Sequence, residues 1–381
     1  MIDGGGCLER SYVELRKKLT LKNITVTGTD NWTGGFSPSG GDYRSTLTVP
    51  QFVEPQQTSD PMNTTLCESQ DAAMLCSEAE MVFLDGRYLS QRPDGADPGP
   101  GAFALDAGRR VMLGDNPTGK KVEVATRQRG LRMASGSSGT VLENVDVTQV
   151  ANTIGKSGTG AALGNNGNAL TVRNSEVSWT HGSAVQCGGG VKYEIMASEF
   201  HHAGEAGMTS YGASPLLFEN NTVRDNCSET GLPDVAYNDS FVCSGLKITG
   251  ESPAGRVVAN NTFHHNDHAG IWTDVRANNT EIARNRIHHN EEQGIHVEIS
   301  NGIEIHNNKI YENGRVGTQS SASNSAGIYM NTSAHLDPRQ HHGLEPGRLR
   351  VYREQQGRAH VAVGRQRHLR QPHLRQPHLP G

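Results

Sequence analysis

The sequence predicts an all-β solenoid, and two observations carry that prediction. The first is a phrase repeated at coil length. It reads Asn-Asn-Thr-Val-Arg-Asp-Asn at 220–226, Asn-Asn-Thr-Phe-His-His-Asn at 260–266, Arg-Asn-Arg-Ile-His-His-Asn at 284–290 and Asn-Asn-Lys-Ile-Tyr-Glu-Asn at 307–313. Gly-Ile follows the last three, and Gly245, Gly270 and Gly294 stand 25 and 24 residues apart. A period in the twenties marks repeats that cannot bury their own apolar faces and must stack on neighbours. The second observation is alternation within short apolar runs: Val257-Val258, Ile282, Ile303 and Ile305 precede the Asn pair, and one large apolar residue follows it. Period 2 over so few residues means strands, and no window between them offers an amphipathic helix. Three short strands per repeat, joined by polar turns, make one rung of a right-handed parallel β-helix.

Two columns follow from aligning the rungs. Val177, Phe200, Val223, Phe263, Ile287 and Ile310 form an apolar column. Two positions earlier stand Ser175, Ser198, Asn221, Asn261, Asn285 and Asn308. At a strand spacing of ~4.8 Å, stacked Asn side chains can bond to turn backbone and to the next Asn. An internal ladder, not a ligand site, is the reading this spacing favours. The Gly before each Ile fits a turn with positive φ or a close backbone approach.

From about residue 126 to 332 the chain resembles the right-handed parallel β-helix proteins of the pectate-lyase-like superfamily, in their generic secreted bacterial form. That group includes lyases, hydrolases, epimerases and proteins of no known activity, so the resemblance implies fold before function. Around this body the sequence divides into partial N-terminal rungs (1–30), a loop-rich excursion (31–78), a small antiparallel β insert (79–125), the parallel β-helix (126–332) and a tail (333–381). Asp-Gly, Gly-Arg and Asn-Pro turns between short apolar runs mark the insert, which resembles one found near the start of some secreted bacterial β-helix proteins.

Composition agrees with a narrow-cored solenoid: 34% hydrophobic residues and 45 Gly in 381. No run of 18 apolar residues exists, so no membrane span is expected. Cys227 and Cys243 bracket an insertion between rungs, and Cys67 lies near Cys76. Disulfides are expected at both, the former contributing ~3 kcal/mol; Cys7 and Cys187 are unpaired or paired with each other. Loop disulfides point to an extracellular or cell-surface protein. The absence of a secretory leader at Met1-Ile2-Asp3 then implies an incomplete N-terminus. From Ser333 on the chain carries nine Arg, no Lys and three acids. Nucleic-acid binding is one reading of such a basic tail. A frameshift is the better one, because Arg-Gln codons shifted by one base begin Gly-Asn, and a disordered tail is expected.

Chemistry is expected on the outward face of the Gly-Ile strands. Met208 and Ser210, Leu246 and Ile248, Ile271 and Thr273, Ile295 and Val297, and Ile328 and Met330 point inward. Two outward columns remain: Thr209, Lys247, Trp272, His296, Tyr329, and beside it Tyr211, Thr249, Asp274, Glu298, Asn331. Lys247, Asp274, His296 and Glu298 are the catalytic candidates; Tyr211, Trp272 and Tyr329 are candidates to stack sugar rings. Asp274 and Glu298 occupy equivalent places on adjacent rungs, ~5 Å apart. In a glycoside hydrolase they are the acid and its partner. In a lyase Lys247 or His296 is the base, and the two acids hold Ca²⁺ or substrate. The expected partner is a polysaccharide, neutral or uronate-containing, bound by a monomer with no nucleic acid. The alternative is a non-catalytic carbohydrate-binding or adhesive β-helix. The stacked pairs His201-His202, His264-His265 and His288-His289 read as a polar turn ladder, and Asp267, Glu291 and Glu292 as residues rimming the same groove.

Overall fold

The computed structural model describes residues 1–52, 78–153, 160–165, 167–227, 243–314 and 326–331, with the backbone alone of 348–351 and 362–363. Among these residues there is no helix. Each central rung contributes one strand to a nine-stranded front sheet and two to a 17-stranded sheet that wraps the other sides; nearer the N-terminus Thr20–Thr27 and Thr140–Val150 each run on as one strand. The front strands run Val13–Leu15, Leu131–Met133, Leu163–Asn165, Val185–Gly188, Met208–Tyr211, Ser244–Thr249, Ala269–Asp274, Ile295–Glu298 and Ile328–Asn331, all parallel. Val177, Phe200, Val223, Phe263 and Ile287 are fully buried in one continuous core, with Ile310 packed against it. Residues two dozen apart in the chain are therefore neighbours in space.

The Asn file is a real ladder. The backbone N–H of Asn261 donates to Asn285 Oδ1 at 2.9 Å, and Asn261 Nδ2 donates to the same oxygen at 3.0 Å. Asn285 repeats both bonds to Asn308, at 2.8 and 3.0 Å. Each amide also donates to a carbonyl of the preceding rung, as Asn285 Nδ2 does to Val258 O at 2.8 Å. The file continues through Ser198 and Ser175, whose hydroxyls accept backbone N–H bonds. A second ladder, which the alignment on apolar residues does not single out, runs through Asn226, Asn266, Asn290 and Asn313 at 2.8–2.9 Å.

The residue before each first-ladder side chain turns the corner. Asn174, Ala197, Asn220, Asn260, Arg284 and Asn307 all have φ between 49° and 58°. This left-handed conformation suits Asn and strains other residues, which explains why the first member of the Asn pair is so often Asn. The Gly before Ile serves close approach, not positive φ. A Cβ on Gly270 would meet Gly294 O and Asn290 Nδ2 at 2.9 Å.

One inward position carries a charge. Arg256 stands in register with Leu216 and Thr280 and is buried. Its guanidinium donates to the carbonyls of Ala213, Asn278 and Gly250 at 3.1, 3.2 and 2.6 Å, and burial pulls its pKa down to about 10.

The insert is larger than the sequence divides it. Its five-stranded sheet has the order Phe36–Ser39, Asp42–Thr48, Arg110–Leu113, Ala102–Leu105, Ser90–Gln91. Its four-stranded sheet has the order Thr29–Asn31, Val122–Ala125, Val82–Leu84, Arg87–Tyr88. Residues 31–48, expected in a loop-rich excursion, thus supply strands; 53–77, with Cys67 and Cys76, lie outside the described residues. A second core, with Phe83, Phe103 and Leu113 at its centre, reaches the solenoid at Ala151, Cys227 and Cys243 and packs Trp179. Cys227 and Cys243 are buried thiols and not the expected disulfide; burial and a hydrogen bond with Cys243 raise the Cys227 pKa. Cys187 is a buried thiol and Cys7 an exposed one. The tail, expected to be disordered, contributes Arg348–Val351, which pairs antiparallel with Ile303–His306. Most of the tail lies outside the described residues.

Asn285→Ala leaves the Asn261 backbone N–H and one of its two amide N–H groups without an acceptor and should cost about 3 kcal/mol by chemical denaturation, whereas exposed Lys309→Ala should change stability by less than about 0.5 kcal/mol. Equal effects would contradict the ladder. Ala197→Asn should raise stability by about 1 kcal/mol, because Ala197 is exposed with φ 49° and loses no packing.

Candidate active site on the front sheet

Front-sheet register brings the predicted residues together. Lys247 pairs with Trp272, Trp272 with His296 and His296 with Tyr329. In the second column Tyr211 pairs with Thr249, Thr249 with Asp274, and Glu298 with Asn331. Thr273 pairs with Val297, so Asp274, the next residue, stands opposite Glu298.

The cluster is not a solvated sheet face. Lys247, Asp274 and Trp272 are only 5, 6 and 9% exposed. Lys247 Nζ lies 3.0 Å from Asp274 Oδ2 and 3.1 Å from the centroid of the Trp272 ring. Asp274 Oδ1 accepts the Val275 N–H at 2.6 Å. Burial lowers the Lys247 pKa, opposed first by Asp274 and then by Glu298. His296 stacks on Trp272 with centroids 4.9 Å apart and planes 14° apart, and Tyr329 lies beyond it at 5.2 Å. His296 Nε2 donates to Asn331 Oδ1 at 2.9 Å, and Asn331 Nδ2 donates to Glu298 Oε1 at 3.0 Å. Burial lowers the His296 pKa, against the Asn331 hydrogen bond and the nearby carboxylates.

Three expectations change. Trp272 offers no face for a sugar, because Lys247 covers one side of its ring and His296 the other. Tyr211, 69% exposed, keeps an open ring. The place beside Asp274 where Ca²⁺ was expected holds the Lys247 ammonium, and among the described residues no three His, Cys, Asp or Glu side chains gather as metal ligands. Lys247 is ion-paired and so a poor base.

Asn331 joins His296 to Glu298, a link legible only from its place in the column. A second residue escaped the sequence reading: Glu205, a fully buried corner carboxyl whose pKa burial raises to about 7, against a hydrogen bond from Ser183.

The His pairs lie on another face. Within each pair the Nδ1 atoms share one hydrogen bond, at 2.6, 2.7 and 2.8 Å. Burial lowers His202 and His288 to about 4, with neighbouring imidazoles adding to the effect. Burial also lowers His181 to about 4. These groups are neutral when folded but protonate near the usual 6.5 when unfolded. Their contribution is present above 6.5 and is lost as pH falls from 6.5 toward 4. The melting temperature should therefore drop across that window, and less steeply in His202→Asn. A loss confined to pH below 4 would contradict this account.

The family described as "Right handed beta helix region" matches residues 129–250 and 159–334. The chain belongs to that family. No curated protein matches it. Among solved structures it is similar to "The complex structure of XylC with xylose", at 13% identity and a TM-score of 0.64, covering 82% of this chain and 62% of that one. The chain thus spans less than two thirds of XylC, and at this identity the likeness is one of fold. It also matches the Azotobacter vinelandii mannuronan C-5 epimerase AlgE4 A-module, at 15% identity and TM-score 0.35, covering 49% of this chain and 52% of that one. A structure named "Glycoside hydrolase" matches at 8% identity and TM-score 0.31, covering 85 and 88%. These two scores are too low to carry an argument.

Proposed function

We propose that the protein is a retaining glycoside hydrolase acting on an extracellular glycan, with Asp274 and Glu298 as its two carboxyl groups. The observation that carries this reading is their opposition on adjacent front strands. Strand spacing sets their Cβ atoms ~5 Å apart, so rotamers that keep the carboxyl groups level give the ~5–5.5 Å that suits a covalent glycosyl intermediate; an inverting pair needs ~6.5–9.5 Å to admit a water. One carboxyl group, ionised, attacks the anomeric carbon while the other, protonated, donates its proton to the glycosidic oxygen, and the C1–O bond breaks to release an alcohol. The second group, now a carboxylate, takes a proton from water. The resulting hydroxide attacks C1, and the first carboxylate leaves. Tyr211, two strands from Asp274 at ~10 Å, is placed to stack a sugar further along the chain.

Two contacts favour hydrolysis over elimination. The Lys247 ammonium is held by Asp274, and His296 is sandwiched between Trp272 and Tyr329 with Nε2 engaged, so neither lyase base is free to reach a C5 proton. XylC, captured with xylose, supports a sugar ligand through fold alone.

Reducing-end release from a panel of neutral and acidic glycans, with 4-nitrophenyl glycosides alongside, tests the proposal. Turnover should appear on one sugar class, and Glu298→Ala should slow it by roughly 10²–10⁴-fold. Unsaturated products would make the protein a lyase. Saturable glycan binding without turnover would make it a carbohydrate-binding β-helix.

A further inference from the structure

The two carboxyl groups face each other from unlike surroundings. Asp274 is 6% exposed and both of its oxygens are held by donors: Oδ2 by the Lys247 ammonium at 3.0 Å, Oδ1 by the Val275 N–H at 2.6 Å. Glu298 is half-buried and takes a neutral amide N–H from Asn331. A nucleophile needs a fixed, charged oxygen when it attacks, and regains that charge when it leaves, whereas an acid/base must exchange its proton with leaving group and water.

We propose that Lys247 is a positioning residue that makes Asp274 the nucleophile and leaves Glu298 as the acid/base. The proposal rests on the hydrolase reading above. Lys247 is itself seated by the Trp272 ring, 3.1 Å beneath Nζ, and that ring is backed by His296 and then Tyr329. Side chains from four neighbouring strands thus fix one ammonium against one carboxylate.

The charged and titratable groups around Asp274 are few. Lys247 faces it from the preceding rung, and His296 and Glu298 from the following one. Thr249 and Asn331 are neutral neighbours in its column. Arg276, on the same turn, is exposed and turned to Glu251 at 3.3 Å. Without the ammonium, Asp274 would face Glu298 with no buried cation beside it, and like charges on adjacent rungs resist joint ionisation. The acidic limb of the rate profile would then move to higher pH. Burial works against the Lys247 charge while Asp274 sustains it.

The experiment uses the full chain and its best 4-nitrophenyl glycoside. Profiles of kcat/KM against pH are compared for wild type, Lys247→Met and Lys247→Arg, and the matching 2-deoxy-2-fluoro glycosyl fluoride is used to label each protein before peptide mass spectrometry. The label should fall on Asp274. In Lys247→Met the acidic limb should rise by about 1–2 pH units and labelling should slow by about 10²-fold, while Lys247→Arg should keep the limb within a few tenths of a unit. Should Lys247→Met not fold, Trp272→Phe, which weakens the seat but keeps the ammonium, should raise the limb by a smaller amount. An unmoved limb in whichever of these two variants folds would overturn the positioning role and leave the hydrolase intact. Label on Glu298 would overturn the assignment of parts, again leaving the hydrolase. Wild type with neither label nor turnover would remove the hydrolase reading, and this proposal with it.

Discussion

Each rung donates backbone and amide N–H groups to the asparagine of the next, and the position of every functional side chain follows from that contact. The Asn221, Asn261, Asn285 and Asn308 amides satisfy turn groups that would otherwise be buried without partners. They also fix where one strand stops and the next begins. A slip of one residue would turn the inward set outward. Lys247 would then enter the core and Ile248 would face the site. The ladder holds the register, and the register holds the site.

The sequence shows this much because a solenoid turns sequence period into distance. The Asn file, the apolar column and both outward columns of the front sheet follow from spacing alone. Contacts decided by side-chain conformation do not. Trp272 reads as a platform in one dimension; in three it is a seat for Lys247, because adjacent rings in a column stack on each other and turn their edges outward. The Asp274 partner follows the same logic. Glu298 is its equivalent on the next rung, but the long lysine from the rung before reaches it. The insert was under-read because its strands at 29–48 are short and separated from 82–125 by a long polar stretch, so neither periodicity nor turn signals join them. Arg256 was missed because a guanidinium at an apolar position is tolerated only where three carbonyls converge, and sequence does not report where carbonyls point.

A buried Lys–Asp pair is a poor source of stability, since desolvating both charges can exceed their attraction. On the outer face of a solenoid, where polar groups can stay in water, such a pair needs another reason. Holding a carboxylate aimed is one, and the second carboxyl group opposite supplies the chemistry that would use it. The rest of the sheet fits this division of labour. Stacked rings support the ammonium, Asn331 orients Glu298 and His296 together, and Tyr211 stands open further along the face.

Coil register sets the Cβ atoms of Asp274 and Glu298 one strand spacing apart, and product stereochemistry reads whether their carboxyl groups act at that distance. Proton NMR of a reaction in progress, begun with a glycoside of known anomeric configuration, would show the first sugar released before it mutarotates. The account predicts the same configuration as the substrate. First release of the opposite anomer would mean carboxyl groups far enough apart to admit a water, and would contradict the pairing of Asp274 and Glu298 as nucleophile and acid/base.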